Sequence, residues 1–343
     1  MNLIIPSIFL AFFGLFNLFG LDQGLFFRQL IYCFMGFAAF FLIKSIGRHF
    51  FQTNSKVLYW LFIAILVITY IIGVEVKGSR RWLDFYFFRF QASEFFKPFF
   101  VLFLSHYLES EDVFKNNANL FLKSFLYFLV PFFIIFKQPD LGNAFTFFVI
   151  YLIVVFFSNI PKKYLTYFFA LIAFFLPLGW FVLKDYQQAR ILSFFNPQLD
   201  TQGTAYNMIQ SIITIGSGKF LGRGLGLATQ SRLYFLPENT TDFAYASLVE
   251  QFGFFGGLMV IFFYSLLIYH VAKRTIKFYF EKREGNKSKF LFCLGFLTYL
   301  IFQVFVNVGM NMGLLPVAGV ALPFISYGGS SVLALLIGFA LLP

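Results

Sequence analysis

The chain has 343 residues, 59% hydrophobic and only 12% charged, with a mean hydropathy of +0.79. A soluble domain carries about 25% charged and about 45–50% apolar residues, so a water-soluble globule is excluded and most of this surface must face lipid. In such a chain the net charge of +11 first reports membrane orientation and gives no ground for nucleic-acid binding.

A spanning helix takes roughly 17–25 mainly apolar residues. Ten such segments are predicted, near 2–19, 30–47, 57–73, 93–108, 119–137, 141–159, 164–183, 246–272, 289–309 and 323–342. The first lacks a basic start and a small-residue cleavage site, so it reads as a true span and not a removable signal. Fourteen lysines and arginines fall in the short connections on one side, from Lys44, Arg48 and Lys56 through to Lys287 and Lys289. Six fall on the other: Arg28, Lys77, Arg80, Arg81, Arg89 and Lys137. The richer side is expected to be cytoplasmic, with both termini there. The expectation is an all-α integral membrane protein, a single unit over 1–343, in which 184–245 forms one long extracytoplasmic loop between helices 7 and 8. Loops of that length are uncommon unless functional.

The two cysteines, Cys33 and Cys293, lie in apolar segments, without the spacing of a disulfide framework or a zinc site. The 59 phenylalanines run through the middle of the spans and read as lipid-facing filler.

Ionisable groups at the outer membrane boundary are costly and tend to be functional. In Gln91-Ala-Ser-Glu-Phe-Phe-Lys97, Glu94 and Lys97 are three apart and share a helix face. They can pair, or Ser93 or Glu94 can cap the helix while Lys97 snorkels. In Lys137-Gln-Pro-Asp-Leu-Gly142, Asp140 can cap span six and can also face Lys97 across the bundle. In Leu236-Pro-Glu-Asn-Thr-Thr-Asp-Phe243, Asp242 stands where the long loop enters span eight, as a cap or as a reactive carboxylate. Glu238, Asp242 and Glu250 come close together in sequence, and such crowding raises a carboxylate toward the range a general base needs. Arg80, Arg81, Arg190 and Arg232 lie on the same face and could meet phosphate oxygens bidentately.

The run Gly216-Ser-Gly-Lys-Phe-Leu-Gly-Arg-Gly-Leu-Gly226 has no nucleotide fingerprint and is expected to make tight turns or close backbone approach to a ligand. Leu322-Pro-Phe-Ile-Ser-Tyr-Gly-Gly-Ser-Ser331 reads mainly as close helix packing. In Asn307-Val-Gly-Met-Asn-Met-Gly-Leu-Leu-Pro-Val-Ala-Gly319 the helix is broken late in the chain with no counterpart in the first half, which speaks against a repeat-built transporter.

Taken in order, Gly78-Ser-Arg-Arg-Trp82, Gln91-Ala-Ser-Glu-x-x-Lys97, Gln138-Pro-Asp-Leu-Gly142, Asp185-Tyr-Gln, Gly216-Ser-Gly, Thr229-Gln-Ser, Phe235-Leu-Pro-Glu-x-x-Thr-Asp-Phe243 and Ile325-Ser-Tyr-Gly-Gly-Ser330 resemble the shape, elongation, division and sporulation (SEDS) family, of which RodA and FtsW are members. The likeness covers nearly the whole chain. It implies a peptidoglycan glycosyltransferase that polymerises lipid II, with growing glycan on undecaprenyl pyrophosphate, on the outer face of the cytoplasmic (inner) membrane. It also implies a class B penicillin-binding protein as partner, membrane lipids around the spans and a divalent cation (Mg or Mn) as a possible cofactor. By motif, Asp242 matches the catalytic carboxylate, and Glu94, Lys97 and Asp140 match a polar cluster in the central cavity. Where the family usually has His two residues before that aspartate, this chain has Thr240. Thr229-Gln-Ser favours the RodA branch and Gly224-Leu-Gly the FtsW branch, with RodA preferred. Outside this class, the alternatives are a flippase for lipid-linked precursor, which needs the intramembrane cluster but no reactive carboxylate, and a non-catalytic scaffold.

Overall fold

The computed structural model describes residues 2–76, 79–85, 88–110, 117–183, 188, 192, 194–195, 204–281 and 285–343. Thirteen helices and one small sheet are formed among them.

The N-terminal part is built by α1 (Ile4–Leu21), α2 (Gln23–Ile46), the short α3 (Arg48–Thr53) and α4 (Ser55–Ile72). Asp22 separates the first two and caps the second, accepting from the Leu25 amide at 3.1 Å. Gly47, at φ 89°, ends α2 in a conformation that a side chain disfavours and sends the chain into α3. Then come strands β1 (Val74–Val76), β2 (Ser79–Asp84) and β3 (Arg89–Phe90), paired antiparallel in that order. Among the described residues this sheet is the one departure from an all-helical reading.

The bundle continues with α5 (Ala92–Ser110), α6 (Asn117–Lys137), α7 (Leu141–Phe156) and α8 (Lys162–Val182). Within the predicted loop lie α9 (Thr204–Ser217) and α10 (Thr229–Arg232), and the chain closes with α11 (Ala244–Phe280), α12 (Asn286–Asn311) and α13 (Gly329–Leu341). The ten longer helices outside the loop occupy the ten predicted spans. Six are both long and apolar enough to cross a membrane by length and composition. α13, at 13 residues, is shorter because residues 312–328 form an irregular strap where the prediction had helix from 323.

The two central pillars are α5 and α13. Every residue of α13 is buried, and α13 packs on α2 and α5 while α12 packs on α5, α7 and α11. Small residues allow these contacts: a Cβ on Gly338 would sit 2.0 Å from the Phe296 ring, and one on Gly295 would meet Val101 and Val154 at 2.8 Å. The phenylalanines divide into two populations. Phe34, Phe174 and Phe181 are largely exposed, as lipid-facing residues should be, but Phe96, Phe100, Phe147 and Phe296 are fully buried. Phe62 stacks on Phe96 at 5.5 Å, and Phe100 packs on Phe147 at 5.1 Å. Phe is therefore core material as well as lipid surface.

α11 is two helices joined at a break. Gly253, at φ 70° and ψ −170°, interrupts it, and the glycine-rich loop fills the gap. The Phe254 amide donates to the Lys219 carbonyl at 2.8 Å, while the Arg223 and Gly224 amides donate to the carbonyls of Glu250 and Gln251 at 2.9 and 3.1 Å. The close backbone approach expected of this loop is made to a broken helix within the chain. A Cβ on Gly222 would lie 2.1 Å from the Gln251 carbonyl oxygen, so only glycine fits.

Candidate active site

Asp242 lies in a tight turn directly before α11, half-buried. Glu238 enters the turn at φ 53°, and its carbonyl accepts from the amides of Thr241 and Phe243 at 3.1 and 3.0 Å. Its carboxylate accepts from the Thr241 hydroxyl at 2.7 Å. The cap position of α11 is Phe243, and capping falls to a residue from another helix. Asn311 Oδ1 accepts from the Ala246 amide at 3.0 Å, while its Nδ2 donates to the Asp242 carbonyl at 3.0 Å. The N-cap position is thus Phe243 and not Asp242, one residue on from where the sequence allowed it.

The turn is fastened from two further directions. Asn307 Nδ2 donates to the Asp242 carbonyl at 3.1 Å and to the Val320 carbonyl at 2.7 Å. From the strap, Ser326 Oγ donates to the Thr241 carbonyl at 2.6 Å, and the Tyr327 amide donates to the Thr240 carbonyl at 2.7 Å. The Ser-Tyr-Gly-Gly motif, predicted to serve helix packing, is thus a clamp on the aspartate turn. Gln29 of α2 holds the clamp in place by accepting from the Gly328 amide at 3.1 Å. Thr240 contributes its main-chain carbonyl here, which needs no imidazole.

A second polar group lies at the same end of the bundle. Lys97 is fully buried and ion-paired with Glu94 at 2.6 Å, and its ammonium stands 5.1 Å from the Tyr299 ring. It does not snorkel. Tyr299 and Gln303, one turn apart on α12, have side-chain polar atoms that are buried and without a hydrogen-bond partner among the described residues, as does Glu94 at Oε2. Asp140 caps α7 through the Asn143 amide at 3.4 Å, accepts from Gln91 Nε2 at 3.2 Å, and pairs with Arg81 at 3.6 Å. The expected Asp140–Lys97 pair is not formed, because each group has a nearer partner. Ser93 links the two halves, sharing α5 with Glu94 and donating to Asp140 at 3.5 Å.

The strap connects this cluster to the turn. Gly142, at the start of α7, lies against Ala318, and a Cβ on the next strap glycine, Gly319, would be 3.8 Å from Asp242 Oδ2. Glu250 does not join the carboxylates. It is fully buried and accepts from the amides of Gln230 and Ser231 at 2.8 and 3.0 Å and from Ser231 Oγ at 2.7 Å. It anchors α10, with Arg223 at 4.0 Å, and the predicted crowding of three carboxylates is not present.

The three predicted arginines within the described residues each have a different partner. Arg81 also donates to the Gln138 and Pro139 carbonyls, so it holds the α7 entry. Arg80 is exposed and pairs with Glu75 at 3.2 Å. Arg232 is exposed and donates to the Gly226 carbonyl at 2.8 Å. Arg190 lies outside the described residues. Among the described residues no three His, Cys, Asp or Glu side chains stand close enough to hold a metal ion. The described donors thus form no cage for a divalent cation.

Asn307, Asn311, Gln29, Tyr299 and Gln303 were not singled out from the sequence. The signal was available in Asn307, Asn311 and Gln303, which are amides four residues apart on one face of an apolar span.

Residues 5–343 match the family described as cell cycle proteins of the FtsW, RodA and SpoVE type. The chain is 34% identical over 326 residues to the peptidoglycan glycosyltransferase MrdB of Escherichia coli K12, covering 94% of this chain and 85% of that one. It is 32% identical over 320 residues to the probable peptidoglycan glycosyltransferase FtsW of Wigglesworthia glossinidia brevipalpis, with 92% and 81% covered. Two such close identities do not separate the branches. A chain solved in a peptidoglycan synthase complex that coordinates polymerization and crosslinking superposes with a TM-score of 0.82 at 26% identity, covering 99% of this chain and 95% of that one. With ten spans, the fastened aspartate turn and these matches, the chain belongs to the FtsW/RodA/SpoVE (SEDS) family.

Proposed function

We propose that the protein is a membrane-embedded peptidoglycan glycosyltransferase that polymerises lipid II, with Asp242 as general base. The observation that carries this reading is the fastening of the Asp242 turn by Asn307, Asn311, Ser326 and Tyr327. A side chain that only capped a helix would need no such frame, whereas a base must be held within hydrogen-bond reach of the proton it takes.

In this scheme the 4-hydroxyl of the acceptor sugar attacks the anomeric carbon of the donor. The bond from that carbon to the undecaprenyl pyrophosphate oxygen breaks, the pyrophosphate leaves with the electron pair, and Asp242 takes the hydroxyl proton. A positioned base contributes about 10²–10⁴-fold. Arg80 and Arg232, exposed and held by weak surface contacts, are the cations open to the departing pyrophosphate. Arg81 acts by fixing Asp140. The Asp242 end of the bundle faces outward, and a penicillin-binding protein is the partner that cross-links the product.

A single displacement inverts the anomeric centre. The linkage formed from a donor of known configuration, read by NMR on isolated polymer, is expected to be inverted; retention would rule out the one-step scheme. A flippase remains the rival, favoured by the buried polar atoms of Glu94, Tyr299 and Gln303 inside the bundle.

A further inference from the structure

Residues 204–235 contain no Asp or Glu and three cations, Lys219, Arg223 and Arg232, all exposed. The helix that opens this segment, α9, is turned the wrong way for a loop in water. Ser211 and Thr214 are fully buried, with Ser211 Oγ donating to the Asn311 carbonyl at 2.8 Å. On the opposite face Ile209, Ile212 and Ile213 are 37–45% exposed. A helix on a water-facing surface puts its apolar stripe inward and its polar residues outward. The glycine-rich loop that follows repeats the reversal, with Phe220, Leu221 and Leu227 66–80% exposed. Its main chain is turned to the protein: the Gly222 amide donates to the Gly218 carbonyl at 2.8 Å, and the Arg223 and Gly224 amides donate into the break of α11.

The loop sits level with the end of a span. The Gly226 amide donates to Gln251 Oε1 at 3.0 Å, and Gln251 Nε2 donates to the Asn17 carbonyl at 2.9 Å. Asn17 is near the end of α1, which closes at Leu21. The apolar side chains of the loop also continue the lipid-facing surface of the bundle. Phe220 packs edge-on against Phe254 at 6.1 Å, and beside them Phe255 and Leu258 of α11 and Phe19 of α1 are exposed. Irregular main chain is tolerated against lipid only where protein satisfies its polar groups, and this loop meets that condition.

We propose that α9 and the glycine-rich loop bind the membrane leaflet at the Asp242 end of the bundle, which is the outer leaflet in the reading above. Ile209, Ile213, Leu221 and Leu225 enter the acyl boundary, and Lys219 and Arg223 face the phosphate layer. An apolar face bordered by cations and free of carboxylates is the composition of an interfacial anchor. Continuity with the exposed faces of α11 and α1 makes lipid the occupant, since the same surface is covered by acyl chains on either side. The stretch 204–227 is then a membrane-bound hairpin and not a loop in water, and it ends in the glycines docked beside the helix that Asp242 precedes.

The test is site-directed spin labelling of the full chain in phosphatidylcholine nanodiscs. Nitroxides are attached singly at Ile213→Cys and Leu221→Cys, with Cys33→Ala and Cys293→Ala as background. Power saturation compares collision with oxygen, which partitions into acyl chains, and with a water-soluble nickel chelate. Leu258→Cys on α11 is the lipid reference, and Glu75→Cys on the exposed strand β1 is the water reference. Both labels are expected to read as Leu258 does, with oxygen access above nickel access and a depth of about 5–10 Å below the headgroup boundary. Either label reading as Glu75 does would overturn the proposal. Low access to both reagents would overturn it too, because protein and not lipid would then cover the face. Ile209→Cys and Leu225→Cys repeat the two readings at neighbouring exposed sites, so one misfolded variant does not decide the outcome. No catalysis is measured, so failure here leaves the enzyme reading standing.

Discussion

Asn307 donates its side-chain amide to two main-chain carbonyls at once, that of Asp242 at 3.1 Å and that of Val320 at 2.7 Å. One residue of α12 thereby fixes both the turn that carries the carboxylate and the strap that runs beside it. Asn307→Ala removes both bonds inside the bundle. The Asp242 carbonyl keeps the Asn311 amide, but the Val320 carbonyl loses its Asn307 donor, which costs about 1–3 kcal/mol, and a loosened base loses about tenfold or more in rate. The expected result is a folded protein with a lowered melting temperature and slow polymerisation, while donor KM changes little. Full activity in folded Asn307→Ala would remove the fastening from the mechanism.

Lys97 and Glu94 are a buried pair, and breaking such a pair from one side costs about 3–5 kcal/mol because the other charge is left alone. Lys97→Met is therefore expected to unfold the protein at markedly lower temperature. Lys97→Met with Glu94→Gln should recover much of the loss, since neither site then holds an unpaired charge. A double-mutant cycle on melting temperatures in detergent checks this, and simple additivity would contradict the pairing.

Gly222, at φ 81°, admits no Cβ because the Gln251 carbonyl would lie 2.1 Å from it. Gly222→Ala is expected to cost about 1–3 kcal/mol and to undock the glycine-rich loop from the break in α11. Limited proteolysis should then cut within 218–235 faster than in the wild type. Unchanged protection would mean that the loop is held elsewhere.

The spans were legible because lipid imposes a length and an apolar composition that short connections cannot imitate. The break in α11 was not, since Gly253 sits in a run that satisfies both a continuous and an interrupted helix, and only the docked loop decides between them. The sheet at 74–90 was missed because its strands are short and two of them carry arginines. Asp140 as a cap and Glu94 with Lys97 as a pair follow from local spacing of one to three residues. Glu250 was misplaced because nearness in sequence ignores the helix: eight residues carry it about 12 Å along the axis from Asp242, into the amides of α10. The grip on the Thr241–Asp242 turn depends on contacts 65, 69 and 85 positions apart, and no local pattern announces such contacts.

The most direct measurement is glycan-strand formation from purified lipid II in detergent micelles, where no bilayer exists and transport has no meaning. Wild type with its cognate partner, the cross-linking activity blocked and other polymerases excluded, is compared with Asp242→Asn. The account predicts long polymer from wild type and none above background from folded Asp242→Asn. Polymer from Asp242→Asn at the wild-type rate would contradict Asp242 as the base, and no polymer from an intact wild-type complex would move the flippase ahead.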